Sequence, residues 1–106
     1  MTLLILFSLL VTWELSIQEN KVEEFLAIVH DGLEVSRDFP GNRGFDIYVE
    51  KGNPAKAFFV EQSESIEHFQ SYFQWRFERG NFELLEPYFS APPVMRHYSK
   101  ESQGSE

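Results

Sequence analysis

The sequence predicts an α+β domain of order β-α-β, β-α-β, with an antiparallel sheet carrying two helices on one face. Three observations predict it. Leu9, Val11, Trp13, Leu15 and Ile17 alternate with Thr12, Glu14, Ser16 and Gln18, the period of a strand. Val22, Phe25, Leu26, Val29 and Leu33 then recur at helical spacing. Two further extended stretches are separated only by Gly52-Asn53-Pro54. That connection is too short for a parallel crossover, so the two stretches form an antiparallel hairpin.

The first strand is expected over residues 8–17, with residues 1–7 a possible extension. Thr2 to Trp13 is almost continuously apolar, and Leu3–Val11 within it resembles the core of a secretory signal, but no Lys or Arg precedes it and no small-residue cleavage site follows. It is also far short of the roughly 20 residues that span a bilayer. The alternation that continues past it favours a strand over a secretory segment, and a cytoplasmic protein is expected. The first helix is expected over residues 21–37. Asn20 is its N-cap, Glu23 and Glu24 lie at its positive end, and Gly32 marks close packing against the sheet. Pro40-Gly41 ends that region and leads into a strand over residues 43–51. There Arg43, Phe45, Ile47 and Val49 face one way, and Asp46, Tyr48 and Glu50 the other.

The third strand is expected over residues 57–62. Ser65 caps a second helix over residues 66–79. That helix has two stripes. Ile66, Phe69, Phe73 and Phe77 form a core face, while His68, Tyr72, Trp75 and Arg79 form a face both aromatic and polar. Gly80-Asn81 breaks the helix, and Pro87 limits a short helical turn between Phe82 and Phe89. A last strand is expected over residues 94–98. Residues 1–98 thus form one domain, and residues 99–106 a flexible polar tail.

Composition narrows the function classes. Nine Lys and Arg stand against 17 Asp and Glu, a net charge of −8, which argues against nucleic acid and anionic membrane surfaces as partners. The absence of Cys excludes disulfides, thiolate catalysis and Cys-ligated metal. Eleven Phe in 106 residues imply a thick core or a ring-lined cavity, and so small a domain is helped by a second copy. No His-x-x-x-His pair, Gly-x-Ser-x-Gly elbow, phosphate loop or dinucleotide fingerprint occurs. His30 and His97 have no liganding partner nearby in sequence and read as structural. No metal site is expected.

The element order is the split βαβ plan of ferredoxin-like folds. Val22-Glu23-Glu24-Phe25-Leu26 is followed by Pro40-Gly41-Asn42-Arg43-Gly44-Phe45-Asp46-Ile47-Tyr48. Phe58-Phe59-Val60-Glu61, Ser65-Ile66-Glu67 and Ala91-Pro92-Pro93-Val94-Met95-Arg96 complete the series. From about Leu10 to Tyr98 this resembles the antibiotic biosynthesis monooxygenase (ABM) family of dimeric α+β barrels. The resemblance implies a homodimer. It also implies oxidation of quinols, anthrones and related aromatic small molecules by O₂, with no metal or flavin cofactor. Related members degrade haem or isomerise small sugar phosphates. The family's two helix-two histidines fall on Phe69 and Gln74 in one register, and on His68 and Phe73 in the other. The haem-degrading pattern, an Asn on strand one with a Trp then a His on helix two, is not matched. No Asn occurs between Leu3 and Gln18, and His68 precedes Trp75.

Nine residues are candidates for the site. Asn42 offers an amide to a substrate carbonyl or an oxygen intermediate; its alternative is a turn residue bonding local backbone. His68 has the reference pKa of a base for a phenol, and Tyr72 is a further polar candidate. Trp75 and Tyr72 would sandwich a planar substrate, or else form an aromatic dimer contact. Phe69 and Gln74 enter as the occupants of the family's histidine positions. Tyr48 and Glu61 point into the barrel, or are a cross-strand aromatic and a solvated carboxylate; the run Glu61, Glu64, Glu67 reads as solvent-facing. Trp13 lines the cavity or fills the core. The leading expectation is a cofactor-independent monooxygenase of a phenol or quinol. Its rivals are a non-catalytic small-molecule-binding or accessory barrel and an isomerase-like relative.

Overall fold

The computed structural model of the chain describes residues 9–101. The expected extension over residues 1–7 and the end of the expected tail lie outside that range. Four strands form one antiparallel sheet in the order β2-β3-β1-β4: β1 Leu9–Ser16, β2 Asn42–Glu50, β3 Asn53–Ser63 and β4 Val94–Ser99. The helices are α1 Val22–Asp31, α2 Leu33–Asp38, α3 Ile66–Glu78 and α4 Asn81–Leu85, with 3-10 turns at Glu19–Lys21 and Glu86–Tyr88. This is the expected ferredoxin-like α+β plan.

Odd-numbered positions of β1, β3 and β4, and of β2 from Phe45 to Val49, share one face. Across the sheet, Ile47, Phe59, Trp13 and Met95 form one row, and Phe45, Glu61, Val11 and His97 the next. On β3 the alternation is strict, with Ala55, Ala57, Phe59, Glu61 and Ser63 all buried. Leu15, Ile17, Phe25, Phe45, Ala57 and Phe59 make the core. Phe25 of α1 is completely buried and packs on Phe59, Tyr88 and Phe89. Burial of such a side chain is worth roughly 3 kcal/mol. After α4 the chain is strapped back along β1 by Gln18 N–H to the Tyr88 carbonyl and Ser90 N–H to the Ser16 carbonyl, each at 2.8 Å.

Several boundaries differ from expectation, each for an identifiable reason. The single first helix is two, broken at Gly32. Its carbonyl accepts from the Arg76 guanidinium at 3.0 Å, and a Cβ there would sit 3.4 Å from the same group. The close packing therefore faces α3 and not the sheet. Asn20 does not cap α1; the chain enters through the 3-10 turn, and no side chain caps it. The hairpin turn is Lys51-Gly52, with Gly52 at φ +84°, so Asn53 and Pro54 already belong to β3. A register shift between Asn42 and Gly44 turns Arg43 out of the expected row. On α3, Phe69 is buried and Phe73 half-buried, whereas Ile66 and Phe77 are exposed. Only the middle of the helix lies over the sheet, so the expected core stripe is shorter than the helix. β4 runs one residue past its expected end, to Ser99. Among the described residues no helix is long and apolar enough to cross a membrane.

Candidate functional site

The period of β3 aims Glu61 at the helix layer, where it is only 3% exposed. The expected solvent-facing reading of this carboxylate is therefore overturned. Its Oε2 accepts from Trp13 Nε1 on the neighbouring strand at 2.7 Å. Its other oxygen, Oε1, has no hydrogen-bond partner among the described residues. Trp13 ties the carboxyl to a set of packed rings. Trp13 stacks on Phe73 with centroids 6.2 Å apart and planes 3° apart, and Phe82 closes on both. Phe69 packs against Tyr72, Phe73 and the edge of His97. Water is the usual stabiliser of a carboxylate and is largely excluded here. Burial pushes the Glu61 carboxyl from 4.5 up to about 7, against the opposing pull of the Trp13 hydrogen bond and the Arg76 charge.

A second polar set lies between α2 and α3. Ser36 Oγ and Tyr72 OH are 2.7 Å apart. Arg76, one turn beyond Tyr72, donates from Nε to the Tyr72 oxygen at 3.1 Å and from Nη2 to Ser36 Oγ at 2.8 Å. Its Nη1 donates to Asn81 Oδ1 at 2.9 Å. One guanidinium therefore joins α2, α3, α4 and the Gly32 break, using the planar fork that Lys lacks. Burial and the Glu61 charge raise the Tyr72 hydroxyl above its ordinary value, with the Ser36 and Arg76 bonds acting the other way. The arrangement can hold a proton at Glu61 and steady negative charge at Tyr72 and Arg76.

The expected site residues divide. Glu61, Trp13, Phe69 and Tyr72 gather at this cluster. Trp75 flanks it, its ring packing on Phe39 and Tyr72 and lying under the guanidinium groups of Arg76 and Arg79. His68 is bound elsewhere. Its Nδ1 lies 2.8 Å from Ser65 Oγ, the same oxygen that caps α3 by accepting His68 N–H. Its ring covers the Gly41 turn so closely that a Cβ at Gly41 (φ +86°) would lie 2.3 Å from it. Asn42 begins β2 after that turn, its N–H bonding the Phe39 carbonyl at 3.0 Å. Gln74 is on the outer side of α3, bonded to Glu78. Tyr48 lies on the opposite face of the sheet, 56% exposed and directly across from Phe58.

Sequence reasoning missed Ser36, Arg76, Phe73 and Phe82 as members of the site. Arg76 carried a usable signal, four residues beyond Tyr72 on one helix face. Ser36 carried none, because its place depends on the Gly32 break. A groove of about 300 Å³ opens on the other face of the sheet beside Tyr48 and Phe58, and a more open one of about 620 Å³ runs along α3 past Gln74 and Trp75. Neither reaches Glu61. The row that holds Glu61 continues through buried Val11 to β4, whose helix-side residues Met95 and His97 are exposed beside half-buried Trp13. Among the described residues no three of His, Cys, Asp and Glu converge as metal ligands.

The family model for antibiotic biosynthesis monooxygenase matches residues 8–76, well over half the chain. The chain belongs to the ABM family. Solved structures agree with this fold. A conserved protein from Methanosarcina mazei Go1 superposes with a TM-score of 0.83 at 18% identity, over 90% of this chain and 94% of that one. A Caulobacter crescentus CB15 protein that carries the antibiotic biosynthesis monooxygenase name provisionally gives 0.79 at 17% identity, over 90% and 91%. One from Nitrosomonas europaea, named in the same way, gives 0.75 at 19%, over 88% and 89%. At these identities the likeness speaks to the ABM fold alone. No protein of curated function matches the chain.

Proposed function

We propose that this ABM protein is a homodimeric monooxygenase that oxidises an aromatic phenol or quinol with O₂, without a cofactor, at the Glu61–Tyr72 cluster. One observation carries the reading: the buried Glu61 carboxyl, held by a Trp13 ring that stacks on Phe73, lies on the helix side of the sheet and feels the charge of Arg76, which bonds the Tyr72 hydroxyl. The rings supply flat apolar walls for a planar substrate. Loss of a phenol proton makes the ring electron-rich enough to reduce O₂, and the Tyr72–Arg76 pair steadies the negative charge. For an anthrone, a ring CH₂ becomes a carbonyl. One oxygen atom of O₂ enters that carbonyl, and the other leaves as water with both hydrogens. Oxygen uptake with a panel of quinols and anthrones in metal-free buffer tests the proposal. Uptake above the uncatalysed rate is expected; none across the panel would reject it.

A second reading, a non-catalytic binding barrel, is favoured by the engagement of His68 in the Ser65 cap. Phe69 and Gln74 also stand where the resemblance placed histidines. An aromatic that binds and is never converted would select this reading.

The homodimer is supported by the face of the sheet that the helices leave open. Tyr48, Phe58, Val94 and Tyr98 are all exposed there, around the Glu14–Arg96 ion pair. Apolar side chains so arranged on one uncovered sheet suit the like face of a second copy. Light scattering is expected to give twice the chain mass, and Phe58→Lys to move it toward one chain mass. A wild-type mass of one chain at every concentration would sink the dimer.

A further inference from the structure

We propose that Glu61 is the catalytic residue that takes the substrate's phenolic proton, and that Trp13 is a positioning residue that presents the Glu61 Oε1 to it. The inference rests on the oxidation proposed above but makes its own claim. It starts from the unequal state of the two carboxyl oxygens. Oε2 is engaged by the Trp13 indole at 2.7 Å, while Oε1 has no partner among the described residues although the side chain is 3% exposed. A buried polar atom without a partner is costly in a folded protein and calls for a reason. A hydroxyl donor arriving with a substrate supplies one.

The aromatic walls restrict what can deliver that hydroxyl. Trp13, which holds the carboxyl, stacks on Phe73, with Phe82 tilted against both, and Phe69 joins Phe73 to the His97 ring of β4. A hydroxyl borne on a planar ring fits this frame; a polyhydroxylated or phosphorylated molecule would leave its polar groups unpaired against rings. The step balances as a proton transfer. The substrate O–H bond breaks, a bond forms between that proton and Glu61 Oε1, and the electron pair stays on the phenolate oxygen. O₂ is the oxidant that the phenolate then reduces.

The charges around Glu61 suit the role. Arg76 and Tyr72 face it from α3, and His97 lies in its cross-strand row two strands away on β4. Arg37 of α2 is engaged with the Phe45 carbonyl and Asp46. Burial holds the Glu61 carboxyl near 7, so that it is both ionised in useful fraction and basic enough to accept at neutral pH. His68, the base expected from the sequence, is tied to Ser65 instead.

Two measurements test the inference, each on wild type, Glu61→Gln and Trp13→Phe. The first is the pH profile of oxygen uptake with a dihydroxyanthrone. The wild-type rate should rise with pH through about 7. Glu61→Gln should lose about a hundredfold in kcat together with that limb. Trp13→Phe, which removes the bond that lowers the carboxyl's pKa, should move the limb to higher pH. The second is the ionisation of bound para-nitrophenol, read from its visible absorption. The bound phenol should be ionised in the wild type and neutral in Glu61→Gln. Oxygen uptake in Glu61→Gln at the wild-type rate with the limb retained would overturn the inference and leave the oxidation standing. No uptake in any protein, with para-nitrophenol ionised only where Glu61 is present, would overturn the oxidation and support the inference. A limb unmoved in Trp13→Phe would remove Trp13 from it.

Discussion

Replacing Glu61 by glutamine is expected to stabilise the fold at pH 8 and to leave it unchanged at pH 4. In the wild type the carboxyl is raised from 4.5 to about 7 by burial. Between those values the folded chain holds a proton that the unfolded chain has released. Stability therefore falls as pH rises through that window, and is fully present only below about 4.5. At about 1.4 kcal/mol per pH unit, the loss amounts to roughly 3 kcal/mol. The near-isosteric Gln keeps an acceptor for Trp13 Nε1 and carries no charge to desolvate. Its stability curve should be flat across the window, and it should exceed the wild type by up to about 3 kcal/mol on the alkaline side. Urea unfolding at a series of pH values measures this directly. A constant difference between the two proteins at all pH values would contradict the burial argument.

Arg76→Met is expected to lose about 3–4 kcal/mol, because a guanidinium with four acceptors is removed and the acceptors stay behind. Tyr72, Ser36, Asn81 and the Gly32 carbonyl each lose a donor. Methionine keeps most of the length of the stem, so packing is a minor part of the loss. Charge provides a second readout. Arg76 pulls the Glu61 carboxyl down, so its removal should shift the stability window to higher pH. Arg76→Lys restores the charge without the fork, and should recover the window more completely than the stability. A loss below about 1 kcal/mol in Arg76→Met would show that the helices α2, α3 and α4 do not depend on this clamp.

Much of the architecture was legible because it is written in local periods. The strands of β1 and β2 alternate, α1 carries its stripe, and Ser65 caps α3 as its type and place required. The errors arose where a distant group decided the outcome. Gly32 reads as close packing against the sheet inside one helix, whereas Arg76 of α3 binds its carbonyl where that helix breaks. His68 and Tyr72, on one stripe, read as partners, yet Ser65 and the Gly41 turn hold the first while Ser36 and Arg76 hold the second. Tyr48 was a candidate for the site and lies on the open face, because the pleat of β2 sends even positions away from the helices.

The sequence by itself determined the order of elements, the antiparallel hairpin and the family, since each rests on spacing along the chain. Only the tertiary structure decided which carboxylate is buried. Glu61, Glu64 and Glu67 look alike in one dimension. In three, β3 points Glu61 beneath α3 and ends at Ser63, leaving Glu64 and Glu67 in water. The pleat, and what packs above it, turns one of three similar acids into a buried one.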